Sequence, residues 1–220
     1  MFISMLFTCC NFVSLFKSNG THKEMSECRF TEDDVLSDDN PEELSIPDAP
    51  SSLRSTASVV VKKCKRIAGY FHRSTKANEL LKRECAARNL TFYRLVQCVE
   101  TRWNSLYLMM MRIRNCVDCI EFVLIKLKAN SVVEPLTQDE LDILSDIILC
   151  LKPFADSTEE LGGEKYVSMS LIIPNVCILL DQLKELKTKL KTAVGVAVLD
   201  GLFKRVEERL LKYENRSVSA

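Results

Sequence analysis

Trp103, Leu106, Met110, Ile113, Val117, Ile120, Leu124 and Leu127 recur at alternating steps of three and four. At about 3.6 residues per turn, this spacing lays one apolar stripe along a helix of about seven turns. A strand of period two cannot bury such a stripe on one face. The same rhythm returns along the chain. Val60, Cys64, Ile67 and Phe71 carry it first, with basic residues between them. Ser74 is placed to cap a second helix through Leu80, Leu81 and Cys85, which Asn89 should end. Asn130 is the expected end of the long stripe, with Pro135 following. Thr137 and Glu140 form a capping-box pattern before Leu141, Leu144, Ile148 and Leu151. Two further helices are expected through Val176, Leu179, Leu183, Leu186 and Leu190, and through Val198, Leu202, Val206 and Leu210.

The punctuation is equally local. Pro153 should kink or end its helix, because proline removes a donor and crowds the preceding turn. Gly162 and Gly163 mark a loop, and the polar tail after Tyr213 should fray. Thr91 to Val99 is rich in β-branched and aromatic residues and is the one good strand candidate. The expected fold class is therefore mainly α, a helical bundle with at most one or two short strands. Stripes at this spacing also suit coiled-coil seams, but these are wide and contain Cys, Trp and Met, which favours a core within one chain.

Composition adds domain limits. The 220 residues are 47% hydrophobic and 27% charged, the balance of a globular protein. Residues 1–17 form an apolar start without the basic flank of a secretory signal. Residues 18–52 read as a disordered acidic linker, rich in Ser, Asp and Pro. Residues 53–215 form the expected helical domain. Net charge is zero, but its distribution is uneven. Thr21 to Pro50 holds ten acidic residues against two basic ones, and Arg54 to Arg114 holds fourteen basic against three acidic, a net +11. Such asymmetry marks either a polyanion-facing surface or the solvated face of ordinary helices. Of ten cysteines, Cys64, Cys85, Cys98, Cys116, Cys150 and Cys177 each sit inside an apolar or helical run and resemble small buried hydrophobes rather than a disulfide framework. The expected location is the nucleus, otherwise the cytoplasm, and membrane association is not expected.

No arrangement for catalysis emerges. The paired glycines lack the following Lys-Ser/Thr of a phosphate loop. The two histidines are His22, in the acidic linker, and His72, read as a surface residue near a helix end. Cys116 and Cys119 make a CxxC with no second half, so buried core thiols are favoured over a zinc site. No cofactor, metal or small-molecule substrate is expected. Lys62, Lys63, Lys65 and Arg66 form a basic cluster that either contacts phosphate, serves as a nuclear import address, or is simply the wet face of its helix.

Thr101-Arg102-Trp103-Asn104-Ser105, followed by Tyr107 and Arg112, resembles a block of the hAT-superfamily transposases and the zinc finger BED domain-containing proteins derived from them. Phe71 to Ala77, Leu151 to Phe154 with Thr158, and Ser170 to Pro174 resemble three further elements of that family, in the same order. The resemblance implies part of an RNase H-like domain over 53–104 and its all-helical insertion over 105–215. It implies that Arg102 and Trp103 lie near DNA, with the indole able to stack on an extruded base. With Lys62, Lys63, Lys65, Arg66 and Arg73 they form the candidate DNA contacts. The family's BED finger and its three catalytic acidic positions have no counterpart in this sequence, so the chain is expected not to be an enzyme. Three functions stay open: a non-catalytic, domesticated transposon product that binds DNA or chromatin, a helical module for protein partners or self-association, and a decayed fragment.

Overall fold

The computed structural model describes residues 51–99, 103–163 and 169–217. The apolar start 1–17 and nearly all of the 18–52 linker lie outside these residues. Among the described residues the chain is mainly helical, with seven α-helices and no strand. They are α1 (Ser51–Arg73), α2 (Thr75–Ala87), α3 (Trp103–Asn115), α4 (Val117–Lys126), α5 (Gln138–Gly163), α6 (Met169–Leu186) and α7 (Ala193–Ser217). Ser51 and Ser52, expected in the linker, already belong to α1.

The core is one continuous cluster built from every helix. α1 and α5 are its centre. α1 packs against α2, α3, α5 and α7, while α5 also packs against α3, α6 and α7. α4 leans on α2 at one side. The inner stripe of α1 is Ala57, Val60, Val61, Cys64, Ile67, Ala68 and Phe71, all buried. Fully burying Phe71 alone is worth roughly 1.5–3 kcal/mol.

Local capping explains most helix ends. The Ser74 hydroxyl accepts from the Ala77 amide at 3.2 Å, opening α2. Asn89 closes that helix with φ +56°, and the Leu90 amide reaches back to the Cys85 carbonyl at 2.9 Å. Asparagine tolerates this left-handed position better than most residues. At α5 the capping box forms in full. The Thr137 amide donates to Glu140 Oε2 at 2.9 Å, and the Glu140 amide donates to Thr137 Oγ1 at 3.3 Å.

Several expectations are corrected. Thr91 to Val99 is irregular rather than a strand, and no partner strand exists for it among the described residues. The expected RNase H-like part therefore shows two helices and an irregular segment in its described residues. The seven-turn helix is broken at Cys116, which adopts φ −127° and ψ 26°. Its thiol donates to the Arg112 carbonyl at 3.0 Å, the acceptor its own amide would use in a regular helix. That amide turns instead to Ile113, at 3.2 Å. The stripe survives the break, since Leu106, Met110, Ile113, Ile120 and Leu124 are all buried. α4 then stops before Asn130, where Lys128 takes φ +53° ahead of a short 3-10 turn, Ala129–Ser131.

Pro153 does not end its helix, because α5 runs on to Gly163. Pro153 itself is buried, and its neighbours Leu151 and Phe154 are fixed in the core, so packing offsets the missing backbone bond. Leu149, whose carbonyl loses its donor, lines an open groove of about 170 Å³ with Lys152, Gln182 and Lys189. Finally, α7 continues through Tyr213 to Ser217, where a frayed tail was expected.

Candidate nucleic-acid interface

The side of α1 turned away from the core is basic. Lys62, Arg66 and Arg73 are exposed, and Lys65 is half-buried on the flank. At about 100° per residue, Lys62, Arg66 and Arg73 fall within an arc of about 40°. They rise along the helix over about 16 Å. None of these four cations takes part in an ion pair among the described residues.

Lys63 behaves differently. Its Nζ lies 2.9 Å from Glu134 and 2.8 Å from Glu140, and the Lys63 and Glu140 side chains are only 15% and 16% exposed. The hydrogen bond to Glu140 is the largest influence on Lys63 and, with Glu134, holds its pKa above the usual lysine range despite partial burial. For Glu140, burial alone would raise the carboxyl. Lys63 and the Thr137 amide together outweigh it and hold the carboxyl low. Lys63 therefore ties α1 to the start of α5, while Lys62 and Arg66 face outward.

Of the block that carries the family resemblance, Arg102 and the Trp103 side chain lie outside the described residues. Ser105 and Arg112 do tertiary tethering. Ser105 Oγ accepts from the Val99 amide at 2.8 Å and donates to the Val99 carbonyl at 3.1 Å. Arg112 donates to the Arg94 carbonyl at 2.6 Å and sits over the Tyr93 ring, 5.8 Å from its centre. These contacts hold the irregular 90–99 segment against α3. Tyr107 is half-buried.

Cys64, Cys85, Cys119 and Cys150 are buried core groups, Cys98 and Cys116 are half-buried, and Cys177, expected in the core, is exposed. Burial pushes Cys64, Cys116 and Cys150 up to about 12. Burial, followed by the neighbouring Cys119 thiol, pushes Cys85 up to about 11. Such thiols are poor nucleophiles near neutral pH. Cys116 and Cys119 thus sit as expected, half-buried and buried, beside Cys85. His72 is exposed in the last turn of α1. Among the described residues, no three His, Cys, Asp or Glu side chains converge as metal donors, and no helix is long and apolar enough to cross a membrane.

One polar centre escaped the sequence reading. Asp146 is buried at 1% exposure in the middle of α5. Its carboxylate accepts from the Lys191 amide at 3.1 and 3.2 Å, and from the Thr192 amide and hydroxyl at 2.7 Å each. The Thr192 hydroxyl in turn accepts from the Gly195 amide at 2.9 Å. A carboxylate from one helix thereby caps the N-terminus of another, where the backbone dipole favours negative charge. Neither the Thr192-to-Gly195 cap nor Asp146 was expected from the sequence, and nothing local pointed to Asp146.

Comparison with known proteins yields no matching family model, curated protein or solved structure for this chain.

Proposed function

We propose that this chain is a non-catalytic, transposase-derived protein of the nucleus that binds duplex DNA through the basic face of α1. The observation that carries this reading is the row of exposed cations, Lys62, Arg66 and Arg73, with Lys65 beside it, none of which takes part in an ion pair among the described residues. Rigid placement on one helix face allows several phosphates to be neutralised without ordering new backbone. The transposase origin rests on the sequence block around Trp103, and Arg102 and Trp103 remain candidate base-side contacts.

The test is an anisotropy titration of a labelled duplex from 50 to 200 mM salt. Four phosphate contacts predict a slope of roughly −3 to −4 in log K against log salt. Replacing Arg66 by Gln should flatten that slope by about one, uniformly across duplex sequences. No binding at 50 mM salt, or a slope indifferent to Lys62, Lys65, Arg66 and Arg73, would end the proposal. The non-catalytic part is tested separately: a duplex nicked or joined by the purified chain with magnesium or manganese refutes it.

A second reading, a surface for a protein partner, draws on Phe122 and Ile125, one turn apart on α4 and 41% and 57% exposed. Sedimentation of the full chain at several concentrations, alone and with a captured partner, tests it.

A further inference from the structure

At one position on its basic face, α1 is covered. At about 100° per residue, Lys65 falls about 40° to one side of Gly69, and Lys62, Arg73 and Arg66 fall about 20° to 60° to the other. Gly69 thus points away from the core, yet it is buried. What lies over it is Gln97, whose Nε2 stands 3.9 Å from the place a Gly69 Cβ would take. The irregular 91–99 segment therefore crosses the basic face here, about 4.5 Å along the axis from Arg66 and about 6 Å from Arg73.

That segment is fixed on both sides of Gln97. Arg112 holds the Arg94 carbonyl at 2.6 Å, Leu95 is buried, and Ser105 holds the Val99 amide and carbonyl at 2.8 and 3.1 Å. Gln97 itself is exposed, and its carboxamide has no hydrogen-bond partner among the described residues. Lysine and arginine are donors only and suit phosphate oxygens, whereas a carboxamide offers a donor and an acceptor side by side. On a preorganised segment, with both functions uncommitted, such a group suits a base edge that presents the reverse pair. Adenine does so in the major groove, with its N6 donor beside its N7 acceptor.

We infer that Gln97 is the base-reading residue of this face, selecting adenine in the major groove while Lys62, Lys65, Arg66 and Arg73 hold the flanking phosphates. In this contact Nε2 donates to N7 and Oε1 accepts from N6. The inference rests on the proposed DNA reading and extends it from charge to sequence, because phosphate contacts alone carry no sequence information.

Capture of duplexes with a randomised core by the full chain at low salt, followed by sequencing, tests it. The parent should enrich adenine at one core position by roughly tenfold, the scale of one bidentate base contact. Q97A should lose that enrichment and keep the parent's salt slope, since no phosphate contact is removed. Q97E should move the preference from adenine toward cytosine, whose N4 amine suits a carboxylate. Replacing the selected adenine by 7-deazaadenine should weaken the parent severalfold and leave Q97A unchanged. A purely structural Gln97 would instead alter affinity for all duplexes alike. An adenine preference retained in Q97A, or a parent that binds with the expected salt slope but without preference, would overturn this inference and leave the DNA reading standing. A parent that captures no duplex would end both.

Discussion

Replacing Asp146 by alanine should destabilise the whole bundle by roughly 3–5 kcal/mol, the scale of removing one partner from a buried charge interaction. The figure follows from what is left behind. Two backbone amides and one hydroxyl, at 2.7–3.2 Å from the carboxylate, lose their acceptor at a site where Asp146 is 1% exposed. Each orphaned donor costs about 1–3 kcal/mol, with the lower end applying where water can reach it. D146N keeps one acceptor oxygen and should cost about half as much. Gly195 supplies an independent check. A Cβ there would lie 2.6 Å from the Asp146 Cβ, an atom that no rotamer change can move away. G195A should therefore destabilise by about 1–3 kcal/mol through overpacking, although alanine is the better helix former by about 1 kcal/mol. Because relieving the clash shifts α7 off its capping carboxylate, the double variant should lose less than the sum of the singles. Guanidinium unfolding followed by circular dichroism measures all four proteins, and the thermal midpoint of D146A should fall by roughly 10 °C. A loss below about 1 kcal/mol for D146A, or a gain for G195A, would refute the reasoning.

Other outcomes are expected. E140Q preserves the capping box but breaks the Lys63 ion pair, so it should cost roughly 0.5–1 kcal/mol at neutral pH. Because the Glu140 carboxyl is held below its ordinary 4.5, its stabilisation is present above that pH and is lost as pH falls through the lower folded value. The acid limb of unfolding should therefore be shallower in E140Q. The raised thiols act at the other end. Cys64, Cys116 and Cys150 stay protonated to about 12 when folded but ionise near 9 when unfolded, so stability should decline as pH rises between these values. Native-state alkylation should label Cys177 well before Cys64, Cys85, Cys119 or Cys150, and a uniform rate across them would contradict their burial. S74A, which removes the hydroxyl that caps α2, should cost about 1 kcal/mol in the same unfolding assay.

The helical class, most helix positions and two of the caps were legible because their causes lie within four residues. A stripe such as Val60, Cys64, Ile67 and Phe71 encodes a buried face wherever the helix packs, and all four residues are buried. Ser74 with Ala77, and Thr137 with Glu140, bond across three residues, so the pattern states the contact. The candidate interface was half legible. Lys62, Lys63, Lys65 and Arg66 form one cluster in the sequence, yet packing turns Lys63 toward Glu134 and Glu140 and leaves Lys62 and Arg66 outward. Composition cannot distinguish neighbours that differ by one 100° step around a helix until the opposite face is occupied.

The irregular path of 91–99 and the Asp146 cap depend on partners remote in the chain. Arg112 reaches back to Arg94, and Asp146 meets Thr192 across 46 residues. Short-range periodicity specifies which side of a helix avoids water, because that side is set by backbone geometry alone. Which buried carboxylate meets which amide is set by how whole helices pack, since a hydrogen bond at 2.7 Å requires positions that only the assembled bundle brings together.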